Sequence, residues 1–165
     1  MIRGATVAAL LVGYSTLLAQ TVPDFSGRWV LDVRRTQALT ESRTMTIPAS
    51  PVTLPDYQIT QTNSAITIGR VDAASPRSYT YRLDGSESLS TVGTSIGRTK
   101  SRWEGRTLIV EGTRSFTTSQ GEVRSTFRDA LSLDKDGAMV VEQVDQIVGQ
   151  AISVIYQVFV RRPKF

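Results

Sequence analysis

The chain contains neither cysteine nor histidine. Without cysteine there is no disulfide framework, no thiolate nucleophile and no residue to carry the lipid of a lipoprotein. Without histidine the commonest general base is missing, along with imidazole ligation of zinc or haem. Serines are plentiful, but no Ser-x-x-Lys begins a helix, and the one Gly-x-Ser-x-Gly run, Gly93 to Gly97, has no histidine in the chain to act as its base. No glycine-rich phosphate loop occurs, and the acids Asp84, Glu104, Asp134 and Asp136 fall at turns, where their work is local hydrogen bonding. Asp134-Lys135-Asp136-Gly137 therefore reads as a hairpin turn and not as a calcium loop. No catalytic residue, metal or cofactor is expected.

Charge of one sign is also scarce. Lys and Arg number 19 against 15 Asp and Glu, a formal net charge of +4. The basic residues are scattered among Ser and Thr, so a nucleic-acid interface is excluded in favour of a solvated basic surface. Long apolar runs are confined to the start of the chain. Arg3 supplies a short positive region, Ala5 to Leu18 is almost continuously apolar, and Leu17-Leu18-Ala19 offers a small residue for signal peptidase. The run is short for a membrane anchor and is interrupted by Gly13, Tyr14 and Ser15. Residues 1–20 thus read as a cleaved signal peptide and 21–165 as one exported domain, periplasmic or secreted, with no membrane span after cleavage.

What the mature chain does contain is alternation. Phe25-Ser26-Gly27-Arg28-Trp29 forms a tight turn into a strand with Trp29 and Leu31 on one face and Arg28, Val30 and Asp32 on the other. Tyr57 to Gln61 and Ala65 to Ile68 flank a Thr62-Asn63-Ser64 turn. Tyr79, Tyr81 and Leu83 alternate with Thr80 and Arg82 up to Asp84-Gly85, a hairpin signal. Arg98 to Trp103 has a charged face and a Thr99, Ser101, Trp103 face, and Glu104-Gly105 turns it into Thr107 to Glu111. Val123, Ser125, Phe127, Asp129 and Leu131 share a parity, Asp136-Gly137 marks a turn into Ala138 to Ile147, and Ile152 to Val160 is the most apolar strand. The pattern predicts an all-β domain, a single antiparallel up-and-down barrel of roughly eight to ten strands. No helical periodicity shows in residues 21–165. Residues 33–56, with Pro48, Pro51 and Pro55, read as a long loop, either a lid over a barrel mouth or a surface excursion.

Gly27-x-Trp29 at the opening of the domain resembles the start of lipocalins, fatty-acid-binding proteins and avidins, the calycin group. The wording Pro23 to Trp29 is similar to that of exported bacterial lipocalin-like domains. The resemblance implies that Gly27 and Trp29 close one end of the barrel and that Arg161, near the end of the last strand, lies over the indole. The 33–56 stretch departs from the fatty-acid-binding pattern, in which a helical pair follows the first strand.

A barrel of this size can hold one small ligand. The inward parity nominates Tyr79, Tyr81, Trp103 and Phe127 as ligand-cavity residues, with Thr99, Ser101, Ser125 and Gln143 as polar companions. Asp129 falls on the same parity and, if buried, calls for an arginine partner. The leading expectation is a binding module for a small hydrophobic or amphipathic molecule. The alternatives are a non-catalytic envelope interaction protein with a filled core, and a barrel enzyme working through carboxylates or tyrosines. An outer-membrane barrel ending in Phe165 is disfavoured, because alternation fails at Pro163 and Arg161 and the outward Arg98, Lys100 and Arg102 are wrong for lipid.

Overall fold

The computed structural model describes residues 21–43, 56–71, 77–92, 95–119 and 121–163. In chain order these form β1 (Gly27–Leu31), α1 (Val33–Arg43), β2 (Tyr57–Gln61), β3 (Ala65–Arg70), β4 (Ser78–Arg82), β5 (Ser88–Val92), β6 (Ser95–Glu104), β7 (Thr107–Thr118), β8 (Gly121–Leu133), β9 (Met139–Ile147) and β10 (Ser153–Arg161). The leader, Pro48, Pro51, Pro55 and Phe165 lie outside the described residues.

The period-2 alternation read from the sequence is what the strands bury. Along β6, Gly97, Thr99 and Ser101 are buried while Arg98, Lys100 and Arg102 are exposed. Sequential strands pair antiparallel in the order β4-β3-β2-β1-β10-β9-β8-β7-β6-β5. The sheet rolls round so that the first strand meets the last, with Trp29 opposite Arg161 and Leu31 opposite Phe159. The result is a nearly closed, ten-stranded up-and-down barrel, as the alternation predicts.

The turn after β4 differs from its expected role. Gly85 takes a positive φ of 80°, and the Asp84 carboxylate accepts the Ser86 N–H at 2.9 Å, so the turn chemistry is there. Yet β4 and β5 are the two ends of the sheet and not a hairpin. Side chains bridge this seam: the Ser88 hydroxyl accepts the Arg82 N–H at 2.9 Å, and the Ser101 hydroxyl donates to the Arg82 carbonyl at 2.5 Å. The Glu104-Gly105 and Asp136-Gly137 signals do mark paired hairpins, β6–β7 and β8–β9.

The expectation that residues 33–56 form no helix is corrected. The 11 residues of α1 precede Pro48 and contain no proline or glycine. Asp32 caps the helix, its Oδ1 accepting the Arg35 N–H at 3.0 Å and its carbonyl the Thr36 N–H at 2.9 Å. No apolar stripe announces α1, because it buries no whole residue. It lies against the outer face of β10 through Thr36 and Val158 and through Arg43 over the Tyr156 ring at 5.2 Å, and an Arg35–Asp134 ion pair ties it to the β8–β9 turn. α1 thus flanks the wall, and the rest of the expected lid, residues 44–55, lies outside the described residues.

Candidate functional site

The core is concentrated at one end of the barrel. Phe25, Trp29, Ile59, Ile66, Leu108 and Phe159 are essentially inaccessible there. The Trp29 indole N–H donates to the Phe25 carbonyl at 2.8 Å, and Phe25 stacks on Trp103 with ring centroids 6.0 Å apart. Gln61 ties the incoming chain down, receiving the Phe25 N–H at 3.0 Å and donating to the Pro23 carbonyl at 2.9 Å. Arg161 covers the plug from outside, its guanidinium carbon 4.7 Å from the indole centroid and its Nη2 donating to the Asp24 carbonyl at 2.6 Å. Gly27, at φ 137°, is where the stem of Arg161 passes; a Cβ there would sit 3.3 Å from the Arg161 Cδ.

Beyond the plug the inward side chains leave a cavity of about 480 Å³. Its floor is apolar, from Ile59, Val110, Leu131, Met139, Val141 and Phe159. Its middle is polar. Tyr57, Tyr79 and Tyr81 on β2 and β4 share the lining with Arg114, Asp129, Gln143 and Asp145 on β7, β8 and β9. Strand pairing sets this layer: Asp129 pairs with Gln143, and Phe127 with Asp145. Arg70, the register partner of Tyr57, closes β3, and Arg77 leads into β4; both join the lining.

Electrostatics single out Asp129. Burial pushes its carboxyl up from the usual range to about 6; Arg114 and a hydrogen bond from Gln143 pull the other way, and Asp145 adds to the rise. Burial also raises the phenols of Tyr57 and Tyr81; Arg70 opposes the rise at Tyr57 and Arg114 at Tyr81, while the Asp129 charge adds to both. Arg114 is the cation that acts on Asp129. Its guanidinium lies 3.9 Å above the Phe127 ring centroid, and its Nη1 is 3.6 Å from the Asp145 Oδ2.

Of the four residues nominated from the sequence, Tyr79, Tyr81 and Phe127 line this cavity. Trp103 does not; the same inward parity carries it to the plug end, against Phe25. Thr99, Ser125 and Gln143 line the cavity too, whereas Ser101 is spent on the seam. Arg114 lies outside the nominated set, because the alternation read from the sequence ends at Glu111 while β7 runs on to Thr118. Continuing the Leu108, Val110 parity would have placed Arg114 inside, and the Val141, Gln143 parity of β9 would have added Asp145.

No protein-family model and no curated protein matches the chain. Solved structures do. A fatty acid transporter designated REP1-NXSQ aligns with a TM-score of 0.53 at 11% identity, covering 85% of this chain and 97% of its own. The fold is that of a lipocalin-like barrel. A secretory abundant heat soluble protein from Ramazzottius varieornatus gives 0.54 at 12% identity, covering 87% of this chain and 98% of that one. Human cRBP IV gives 0.51 at 16% identity, over 85% of this chain and 99% of its own. At such identities the likeness concerns the lipocalin-like fold, and the site has to be argued from its own side chains.

Proposed function

We propose that the barrel is a binding module that holds one small hydrophobic or amphipathic molecule, and that it does so as an exported protein, periplasmic or secreted. The observation that carries the binding reading is the cavity itself. Its 480 Å³ falls within the size range of small-molecule sites, and it pairs an apolar floor with a few convergent polar groups. Such a space also weighs against the filled-core interaction protein. The fatty acid transporter among the similar structures supports the same hydrophobic or amphipathic ligand class. Export rests on the apolar Ala5 to Leu18 run and the small Ala19.

Native mass spectrometry of the protein isolated from its own host's envelope, before and after delipidation, tests both parts. The expected result is a chain lacking its first 19 or 20 residues, carrying a small molecule of defined mass that is lost on extraction. A bare mass in both samples would overturn the carrier reading, and an intact leader would overturn export.

A further inference from the structure

Buried polar atoms in folded proteins almost always have a hydrogen-bond partner, so the exceptions mark places where something else is bound or stored. Among the described residues three buried side-chain polar atoms have none: Arg70 Nε, Asp129 Oδ1 and Asp145 Oδ1. All three residues line the same cavity. Two of the three atoms are carboxylate oxygens, which can only accept while ionised.

The two carboxylates are neighbours on the inner face. Asp129 pairs with Gln143 and Phe127 with Asp145, so Asp129 and Asp145 stand diagonally across β8 and β9, about 7–8 Å apart at Cα for such positions. The cation beside them is already engaged. Arg114 is stacked on Phe127 and directs its Nη1 to the other oxygen of Asp145, Oδ2. A ligand head placed at this level therefore meets two unmatched acceptors, and an incoming carboxylate would bring a third negative charge to them. Arg70 Nε is an unmatched donor on the other wall, at the end of β3, where Arg70 is the register partner of Tyr57.

We infer that the ligand's polar end is a hydrogen-bond donor, a hydroxyl or a protonated amine, received by Asp129 and Asp145 with its apolar body on the Leu131, Val141 and Phe159 floor. This rests on the binding reading above and narrows it: simple fatty carboxylates are the wrong class. Arg70, on the opposite wall, is left to an acceptor oxygen or water.

The test is competition on the delipidated protein carrying a neutral polarity-sensitive fluorophore, N-phenyl-1-naphthylamine. The competitors share one chain length and differ in head group: 1-dodecanol, dodecylamine and dodecanoate. At pH 7.5 the alcohol or the amine is expected to displace the probe about ten-fold more tightly than dodecanoate, the scale of a hydrogen bond to a charged group. In the Asp129→Asn, Asp145→Asn variant, checked for an unchanged fold by circular dichroism, that preference is expected to shrink severalfold. Dodecanoate binding as tightly as the other two would overturn the inference and leave the binding reading intact. If that affinity vanished in Arg70→Gln, the head group would belong to Arg70 instead. A preference unchanged in the double Asn variant would overturn the assignment to the carboxylates. No binding of the probe or of any competitor would overturn the binding reading itself.

Discussion

Arg161 lies over the Trp29 ring, its guanidinium carbon 4.7 Å from the ring centroid, and the two are also register partners in the β1–β10 pairing. One contact thus joins the first strand to the last and covers the plug. Trp29 is fully buried and its N–H is satisfied by Phe25, so truncation removes a large core side chain and strands a buried carbonyl. Trp29→Ala is expected to destabilise by about 3–5 kcal/mol. Arg161→Ala should be milder, roughly 1 kcal/mol, because the guanidinium works at the surface. Urea denaturation of the two variants checks the ranking; equal midpoints with the parent protein would remove the plug argument.

Thr36 does for β10 what a strand would have done. The Leu31–Phe159 pairing is the last between β1 and β10, after which the chain turns into α1. The Asp32 N–H still reaches the Val158 carbonyl at 2.8 Å, and the Thr36 hydroxyl accepts the Val158 N–H at 2.9 Å. Thr36→Val keeps the shape and leaves that N–H without an acceptor. A loss of about 1–3 kcal/mol is expected, with Thr36→Ser largely restoring the parent value in thermal unfolding.

This contact also shows where the sequence stops being legible. The barrel was readable because each strand writes its inside and outside into alternate positions, as Thr99 and Ser101 against Lys100 and Arg102 do. A side chain that reports no periodicity is invisible to that reading, and Thr36 on a helix without an apolar stripe is such a case. The same alternation nominated Tyr79, Tyr81 and Phe127, which the fold brings to one cavity, together with Trp103, which it does not. Parity says which face a residue takes but not its height along the axis, and height separates the plug from the cavity. Arg114 lies beyond Glu111, where the alternation legible in the sequence ends, and turns such as Asp84-Gly85 give local geometry without saying which strands will pair.

Gly112 marks a close crossing of β6 and β7. A Cβ there would stand 2.0 Å from the Arg98 carbonyl oxygen and 2.9 Å from the Thr99 Cα, both backbone atoms that cannot rotate away. Gly112→Ala is therefore expected to be costlier than ordinary overpacking, at least about 2 kcal/mol. Gly69→Ala provides the control, since its Cβ would meet nothing closer than 3.7 Å. Denaturant midpoints of the two variants should separate clearly; similar values would mean that the two strands can part at that point without loss.

Asp129 sets a pH dependence of unusual sign for a carboxylate. Its folded value of about 6 stands above the unfolded value of 3.8, so between these limits the folded state binds more protons than the unfolded one. Its contribution to stability is then most favourable below about pH 3.8 and declines as pH rises through 6, levelling off above. The charged groups that act on it are Arg114 and Asp145, with Gln143 as hydrogen-bond donor, so the net rise already contains the attraction of the arginine. Asp129→Asn mimics the protonated form and is expected to stabilise the unliganded protein at pH 7.5 by an amount of order 2 kcal/mol, with little change at pH 4. The same variant should bind the donor-headed competitors more weakly. Opposite effects on stability and binding would identify a carboxylate held in the barrel against its own desolvation because the ligand needs it, whereas loss of stability at pH 7.5 would show the charge to be a net structural support.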